Sequence, residues 1–247
     1  MSHQAQWAFV EIISERLKPH FNDCSVLEVG SLDLNGSVRR FFQNCRYIGI
    51  DVGSGAGVDV VCQGQEYDAP DNSFDTVISC EAMEHNPHWK ATFLNMCRVC
   101  RPGGVVLMTC ATTGRPEHGT SRTTPANSPL TVELGWDYYK NLSAQDFLRE
   151  IDFNATFSHY LFSVNWSSYD LYFVGIKNGH TALPISEWNA LTNSIQQFVT
   201  SQNQRKVCFY RSLLARWFGE FGFDCVRWGT AKLKLIRQKI NSAESAT

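Results

Sequence analysis

The 247-residue chain has no long apolar run, no strong excess of charge and no basic leader. No stretch approaches the roughly 20 apolar residues that a membrane-spanning helix needs. The opening MSHQAQWAFVEII has no basic n-region, no compact apolar h-region and no small-residue cleavage site, so export is not expected. A net charge of −2, from 22 Lys and Arg against 24 Asp and Glu, is too small for the footprint of a general nucleic-acid binder. Internal repeats and low-complexity segments are absent as well. What is present is 43% hydrophobic residues, too many for a disordered chain. The length suits one large domain, or one domain plus an extension, with a core that needs no disulfide or metal to hold it.

The nine cysteines are an odd number, scattered through apolar stretches such as FDTVISC and VVLMTC. Free cysteine packs as a small hydrophobe, and a reducing compartment tolerates it, so a cytoplasmic location is expected. Cys97 and Cys100 form one CxxC without a second pair at zinc spacing. They fall in an expected helix where Trp89, Phe93, Cys97 and Cys100 step along one face, which favours core packing over redox or metal chemistry.

Periodicity predicts an amphipathic helix over 4–17, closed by Pro19. Apolar runs at 26–30, 47–51, 58–62, 74–80 and 105–111 predict buried strands. Helices are expected over 37–45 and roughly 88–101, the latter broken by Pro102-Gly103-Gly104. Strands alternating with helices imply an α/β fold: a mostly parallel sheet with helices on both faces. Residues 112–142 form a long polar stretch, and a loop of that length inside a domain is usually functional. Ser143 with Asp146 three residues on gives an approximate capping box for the next helix. Strand-like runs at 155–163 and 169–176 close the domain.

The first strand ends at Gly30, Gly36 lies six residues on, and the next strand ends at Asp51. An acid at that strand end can take both hydroxyls of a ribose at the carboxyl edge of the sheet. A dinucleotide loop needs G-x-G-x-x-G so that backbone can approach a pyrophosphate. Here Leu32 stands where the second glycine would be, and Asp33 and Glu28 would repel a phosphate. Like charges at 4 Å repel by about 1 kcal/mol even in bulk water. S-adenosyl-L-methionine (SAM), with a ribose, an ammonium and a sulfonium but no phosphate, fits these acids better than NAD.

With those residues in view, VLEVGSLDLNG resembles motif I of class I SAM-dependent methyltransferases, and YIGID resembles motif II. DNSFDTVISCEAMEH and MCRVCRPGGVVLMTC resemble the later motifs of the methyltransferase type 11 group, and DLYFVGIK resembles the antiparallel final strand. The resemblance spans about residues 24–178. It implies a Rossmann-like seven-stranded sheet, mostly parallel with an antiparallel last strand, and SAM across the first strands. It further implies that Glu28, Gly30 and Ser31 hold the methionine end and Asp51 the ribose. On the same grounds Val52 would pack on the adenine, Gln63 would read its amino group, and Ser79 would face the methionine moiety. Ser31-Leu32 after Gly30 departs from the usual GxGxG.

Methyl transfer to a hydroxyl needs alignment and a base, commonly histidine. His85 follows the fourth strand and His118 the fifth, so both border the cofactor crevice. His85 is read either as a base or as a structural or cofactor-loop residue, and His118 as an active-site residue. Glu84, His85 and His88 make a poor metal set because Pro87 interrupts the helical spacing, and no metal is expected. The long loop also carries Arg115, Asp137, Tyr138 and Tyr139. Aromatics mixed with polar groups suit a hydroxyl-rich acceptor, and an ordinary lid covering the core is the plainer alternative.

Three function classes follow. The first is O-methylation of a small molecule or of a sugar or glycan hydroxyl. The second is a catalytically silent SAM-binding subunit that regulates or stabilises a partner. The third, an RNA or protein methyltransferase, lacks a basic stripe in the core domain, and no nucleic-acid partner is expected. Residues 1–180 are expected to form the SAM-binding domain and residues 181–247 a basic helical extension. Residues 187–247 carry 9 basic and 4 acidic residues, against 13 and 20 in the rest. The run VRWGTAKLKLIRQKI interleaves Val226, Trp228, Leu233, Leu235, Ile236 and Ile240 with Arg227, Lys232, Lys234, Arg237 and Lys239. Such a tail can pack on the acidic domain or a second subunit, lie peripherally on an anionic membrane, or be a loose end.

Overall fold

The computed structural model describes residues 4–179 and 183–244, with side chains as far as Lys234. The expected roles of Leu235, Ile236, Arg237, Lys239 and Ile240, and the domain boundary at 180/181, fall outside the described residues.

A seven-stranded sheet organises the molecule. Its strands are β1 (Ser25–Val29), β2 (Arg46–Asp51), β3 (Val60–Val61), β4 (Phe74–Cys80), β5 (Cys100–Ala111), β6 (Phe157–Asn165) and β7 (Asp170–Lys177), in the order β3-β2-β1-β4-β5-β7-β6. The first five run parallel, and β7 lies antiparallel between β5 and β6. The order reverses at β1, which places a crevice at the carboxyl ends of β1 and β4, where ligands bind in such sheets. This is the Rossmann-like arrangement expected from the sequence.

Both faces are covered, so the central strands read as continuous apolar runs. On one face α2 (Trp89–Val99), α4 (Ala144–Glu150) and α5 (Phe153–Thr156) bury Phe93, Phe147 and Phe153 against Phe173. On the other, α1 (Gln4–Arg16) and α6 (Ile185–Gln202) pack together, and Phe9 stacks on Tyr172 with ring centroids 4.6 Å apart. The capping box of α4 is present as read: Ser143 Oγ accepts from the Asp146 N–H, and Asp146 Oδ2 accepts from the Ser143 N–H at 2.9 Å. Cys97 and Cys100 are buried, and burial pushes both thiols up, as core packing requires.

Several local expectations are corrected. The helix read over 37–45 is a single 3-10 turn, Val38–Phe41, capped by Ser37. The backbone turns extended at Phe42 and Asn44 takes φ 54°, while Val38, Phe41 and Phe42 still pack into the core. The strand read at 58–62 pairs only at Val60–Val61. Pro102-Gly103-Gly104 does not interrupt the chain between helix and strand. It lies inside β5, where the pairing with β4 shifts register between Phe74 and Thr76. The polar stretch 112–142 contains a 3-10 turn and a short helix, α3 (Pro129–Glu133).

α6 contributes Trp188, Leu191, Ile195 and Val199 to the core. The element that stands out is α7 (Lys206–Glu244), which breaks at Gly219, φ 54° and ψ −144°. Only glycine takes that conformation readily, so the two segments of α7 set off in different directions.

Candidate active site

The carboxyl ends of β1, β2 and β4 open into one pocket lined by Glu28, the glycine loop from Gly30 to Ser37, Asp51, Cys80, Glu81, Ala82 and His85. Residues 127–131 of the long loop form its remaining wall. The polar stretch 112–142 therefore folds back over the cofactor crevice, with Leu130 of α3 against Gly53. A Cβ on Gly53 would lie 2.8 Å from Leu130 Cδ2, and one on Gly30 only 2.4 Å from Ala82 Cβ. Gly30 also holds φ 81°, so the turn after β1 and the approach of the β4 end both depend on it.

Asp51 closes β2 with both oxygens aimed by backbone: Leu32 N–H donates to Oδ2 at 3.0 Å and Val52 N–H to Oδ1 at 2.8 Å. Each carboxylate oxygen keeps lone pairs for a further donor. Burial raises the Asp51 pKa, while the two amide bonds oppose it. Asp33 Oδ1 accepts from Gly36 N–H at 2.6 Å and so ties the glycine loop into a closed turn. Glu28 is buried and accepts from the Tyr47 hydroxyl at 2.7 Å. Burial lifts its pKa to about 7, helped by Asp51 and Asp33 and opposed by Tyr47 and Arg39. Ser31 Oγ, 2% exposed in side-chain surroundings that include Gly49, is buried with no hydrogen-bond partner.

These features fit SAM. Three carboxylates suit an ammonium and a ribose and oppose a phosphate. The orphaned Ser31 hydroxyl lies on the glycine loop that would cradle the methionine end. Three expected contacts lie elsewhere. Ser79 is fully buried in the sheet, and Cys80 and Glu81 reach the pocket in its place. Gln63 accepts from Gln65 Nε2 at 2.7 Å and does not line this pocket. Val52 is half-buried next to Asp51, also outside the lining.

The acceptor side is built from β4, β5 and the loops that follow them. β4 ends with Glu81 at φ 55°, a conformation costly for any residue but glycine and concentrated at functional sites. That turn places Glu81, Glu84 and His85 inside the protein, at 5%, 0% and 2% exposure. Glu84 Oε1 accepts from Ala111 N–H at 3.1 Å, and Oε2 has no partner. Neither ring nitrogen of His85 has a partner. His118 approaches His85 edge-on with centroids 5.0 Å apart, and the Tyr139 ring lies 5.0 Å from His118 and 5.5 Å from His85. Nδ1–H of His118 donates to the Pro116 carbonyl at 3.0 Å, which leaves Nε2 with the free lone pair. Burial lowers the pKa of both imidazoles, that of His85 to about 4, so both are neutral at pH 7. Burial pushes Glu81 well up, reinforced by Glu84.

The structure thus brings His85, His118 and Tyr139 together, and it places Glu84 with them. The remaining expected acceptor residues are engaged elsewhere. Arg115 pairs with fully buried Asp170 at 3.0 Å and donates to the Ser168 carbonyl, so it fastens the loop to the start of β7. Asp137 accepts from Ser121 N–H, Ser121 Oγ and Arg122, bracing the loop internally. Tyr138 is half-buried and forms no part of the cluster. His88 turns away to Trp136, with centroids 5.7 Å apart. Glu81 escaped the sequence reading. Its signal was present as an acid immediately after a buried strand end, in CEAMEH.

Residues 27–108 match a family described as a methyltransferase domain. No curated protein matches the chain in sequence. Among solved structures, the chain is similar to a Burkholderia thailandensis 1,6-didemethyltoxoflavin N1-methyltransferase bound to 1,6-didemethyltoxoflavin and S-adenosylhomocysteine. The identity is 13%, covering 71% of this chain and 79% of that one, with a TM-score of 0.49. It is also similar to a Haemonchus contortus phosphoethanolamine N-methyltransferase, at 14% identity, 70% and 53% coverage and TM-score 0.49. A third similarity is to the [4+2]-cyclase SpnF, at 13% identity, 71% and 83% coverage and TM-score 0.48. The motifs of β1 to β5, the match of residues 27–108 to a methyltransferase domain and the acid-lined pocket at the carboxyl ends of those strands agree on a SAM-dependent methyltransferase.

Proposed function

We propose that the enzyme methylates a hydroxyl group on a small molecule or a glycan. Glu28, Gly30, Ser31 and Asp51 hold SAM. SAM supplies an electrophilic methyl group when bound. The chain must align an acceptor oxygen with that methyl and take its proton. The supporting observation is buried His85 in the pocket wall with half-buried His118 against it, whose Nδ1–H is taken by the Pro116 carbonyl so that Nε2 carries the lone pair that can accept a proton. A hydroxyl lying between His85, His118 and Tyr139 meets a base on one side and an aromatic wall on the other. Glu84 stabilises the imidazolium that forms, by charge at close range. Turnover of SAM to S-adenosylhomocysteine with a panel of hydroxylated acceptors tests this. Activity confined to amine or carbon acceptors would overturn it.

The tail belongs to the same proposal. α7 exposes Tyr210, Trp217, Phe218, Phe221, Trp228 and Leu233. Arg216 lies over Trp217 and Lys232 over Trp228. Aromatics beside cations suit an anionic membrane surface or a second, acidic copy of the domain. No described helix is long and apolar enough to cross a membrane. A membrane contact would bring a lipid-linked acceptor to the site. Sedimentation with anionic vesicles and light scattering separate the two kinds of contact.

A further inference from the structure

Glu84, His85 and His118 offer one carboxylate oxygen and two imidazole nitrogens that all lie within 4.8 Å of one another. The sequence alone pointed away from a metal, because His88 cannot join Glu84 and His85 across Pro87. His118 supplies the third donor from the loop after β5, 33 residues along the chain from His85. We propose that these three side chains form a binding site for a first-row divalent cation beside the cofactor pocket. This inference rests on the reading that the acceptor hydroxyl enters at this cluster.

Three observations support it together. Glu84 and His85 are at least nine-tenths buried, yet Glu84 Oε2 and both nitrogens of His85 have no hydrogen-bond partner. Buried polar groups are ordinarily satisfied, and an exception asks for a missing ligand. The donors are also oriented from behind. Ala111 N–H holds Glu84 Oε1, and the Pro116 carbonyl holds His118 Nδ1–H, the outer-shell bond that metal-ligating histidines typically make. Finally, the loop is shaped to let the two histidines meet. Gly119 sits at φ 65°, and a Cβ there would lie 2.7 Å from His85 Cε1.

Two imidazoles and a carboxylate suit zinc and its first-row neighbours. Donor bonds of about 2.0–2.2 Å require the three atoms to draw inward by on the order of 1 Å. Three protein ligands leave a coordination position open. His85 lines the cofactor pocket, so a cation held at this cluster would lie beside bound SAM. A cation held by Glu84, His85 and His118 would supply a Lewis acid that acidifies the acceptor hydroxyl, whose proton would pass to solvent. The oxygen–methyl bond then forms as the sulfur–methyl bond breaks, and the sulfonium becomes a neutral thioether.

The experiment uses the full-length protein, freed of metal with a chelator and titrated with Co²⁺ and Zn²⁺. Visible absorption reports Co²⁺ ligation, and calorimetry reports SAM affinity separately. One equivalent of Co²⁺ is expected to bind with ligand-field bands. E84Q, H85N and H118N should each weaken cation binding at least tenfold, while SAM affinity stays within threefold in E84Q and H118N, which lie outside the cofactor pocket. Absence of stoichiometric binding up to millimolar cation would overturn the site, as would binding indifferent to all three substitutions. Should the variants misfold, paramagnetically shifted imidazole N–H resonances of the wild-type Co²⁺ protein count the ligating histidines, and fewer than two overturns the site. Full turnover in chelator removes the cation from catalysis and leaves His118 as the base. Stoichiometric cation binding without methylation of any hydroxyl acceptor overturns the O-methylation reading and leaves the site.

Discussion

The two sides of the pocket differ in how their ionisable groups are satisfied. On the β1–β2 side, Asp51, Asp33 and Glu28 each accept a hydrogen bond from the protein itself. On the β4–β5 side, His85 and one oxygen of Glu84 are buried with nothing to bond. The first arrangement is preorganised. Its carboxylates are aimed before any ligand arrives, so little ordering remains to be done on binding. The second is incomplete, and a buried polar group without a partner costs roughly 1–3 kcal/mol. The protein retains that cost where a second ligand would relieve it. Cofactor binding and acceptor chemistry should therefore separate under mutation.

The largest expected effect lies on the incomplete side. Replacing His118 by alanine should lower turnover by roughly 10²–10⁴-fold, whether the ring serves as base or as ligand, with SAM affinity unchanged. Steady-state kinetics beside calorimetry check this. Parallel loss of SAM binding would mean that the two sides are one unit.

On the preorganised side, Asp51→Ala should weaken SAM binding by about one to two decades, because bonds to a charged group contribute roughly 1.5–3 kcal/mol. Calorimetric titration measures it, and equal affinity would remove Asp51 from the ribose.

A pH series sharpens the comparison further. Glu28 titrates near 7 when folded, against an ordinary glutamate value of 4.5. Between those values the unfolded chain has lost a proton that the folded chain keeps, so stability falls as pH rises from about 4.5 to about 7 and levels off above. The full shift corresponds to on the order of 3 kcal/mol. Denaturant melts of wild type and Glu28→Gln across that range are expected to differ in slope. In the same window a cationic ligand should bind more tightly as Glu28 ionises.

The smallest expected effect lies outside the pocket. Ser143→Ala removes the capping box of α4 and should cost about 1 kcal/mol, read as a shift in denaturation midpoint with turnover unchanged.

The preorganised side was also the more legible. Strands β1 and β2 are apolar runs ending in Gly30 and Asp51, and their chemistry follows from neighbours in sequence. The helix expected after Gly36 failed because Val38, Phe41 and Phe42 fit a helical spacing that a single 3-10 turn also satisfies. The acceptor side depends on distant pairings. Arg115 looks like a substrate residue until Asp170, 55 positions away, is seen to hold it. His118 can join Glu84 only because loop 112–142 folds back over the crevice. Nor does the cluster of Glu84 and His85 follow from the run CEAMEH without the left-handed turn at Glu81. The family match itself ends at residue 108, before that loop begins.

The break in α7 at Gly219 has a mechanical consequence. Immediately after it, Glu220 Oε1 accepts from Gly114 N–H at 3.0 Å and from Asn141 Nδ2 at 2.9 Å. Phe223 is buried against Gly114, and Arg227 donates to the Gly114 carbonyl at 2.7 Å. The root of the second helical segment is thus bolted to both ends of the loop that carries His118. From Glu220 to Glu244 that segment extends about 36 Å, at the ordinary rise of an α-helix. It is a lever arm whose short end is the active-site loop. Anything that seated the long end would load the loop ends at Gly114 and Asn141, and through them the position of His118.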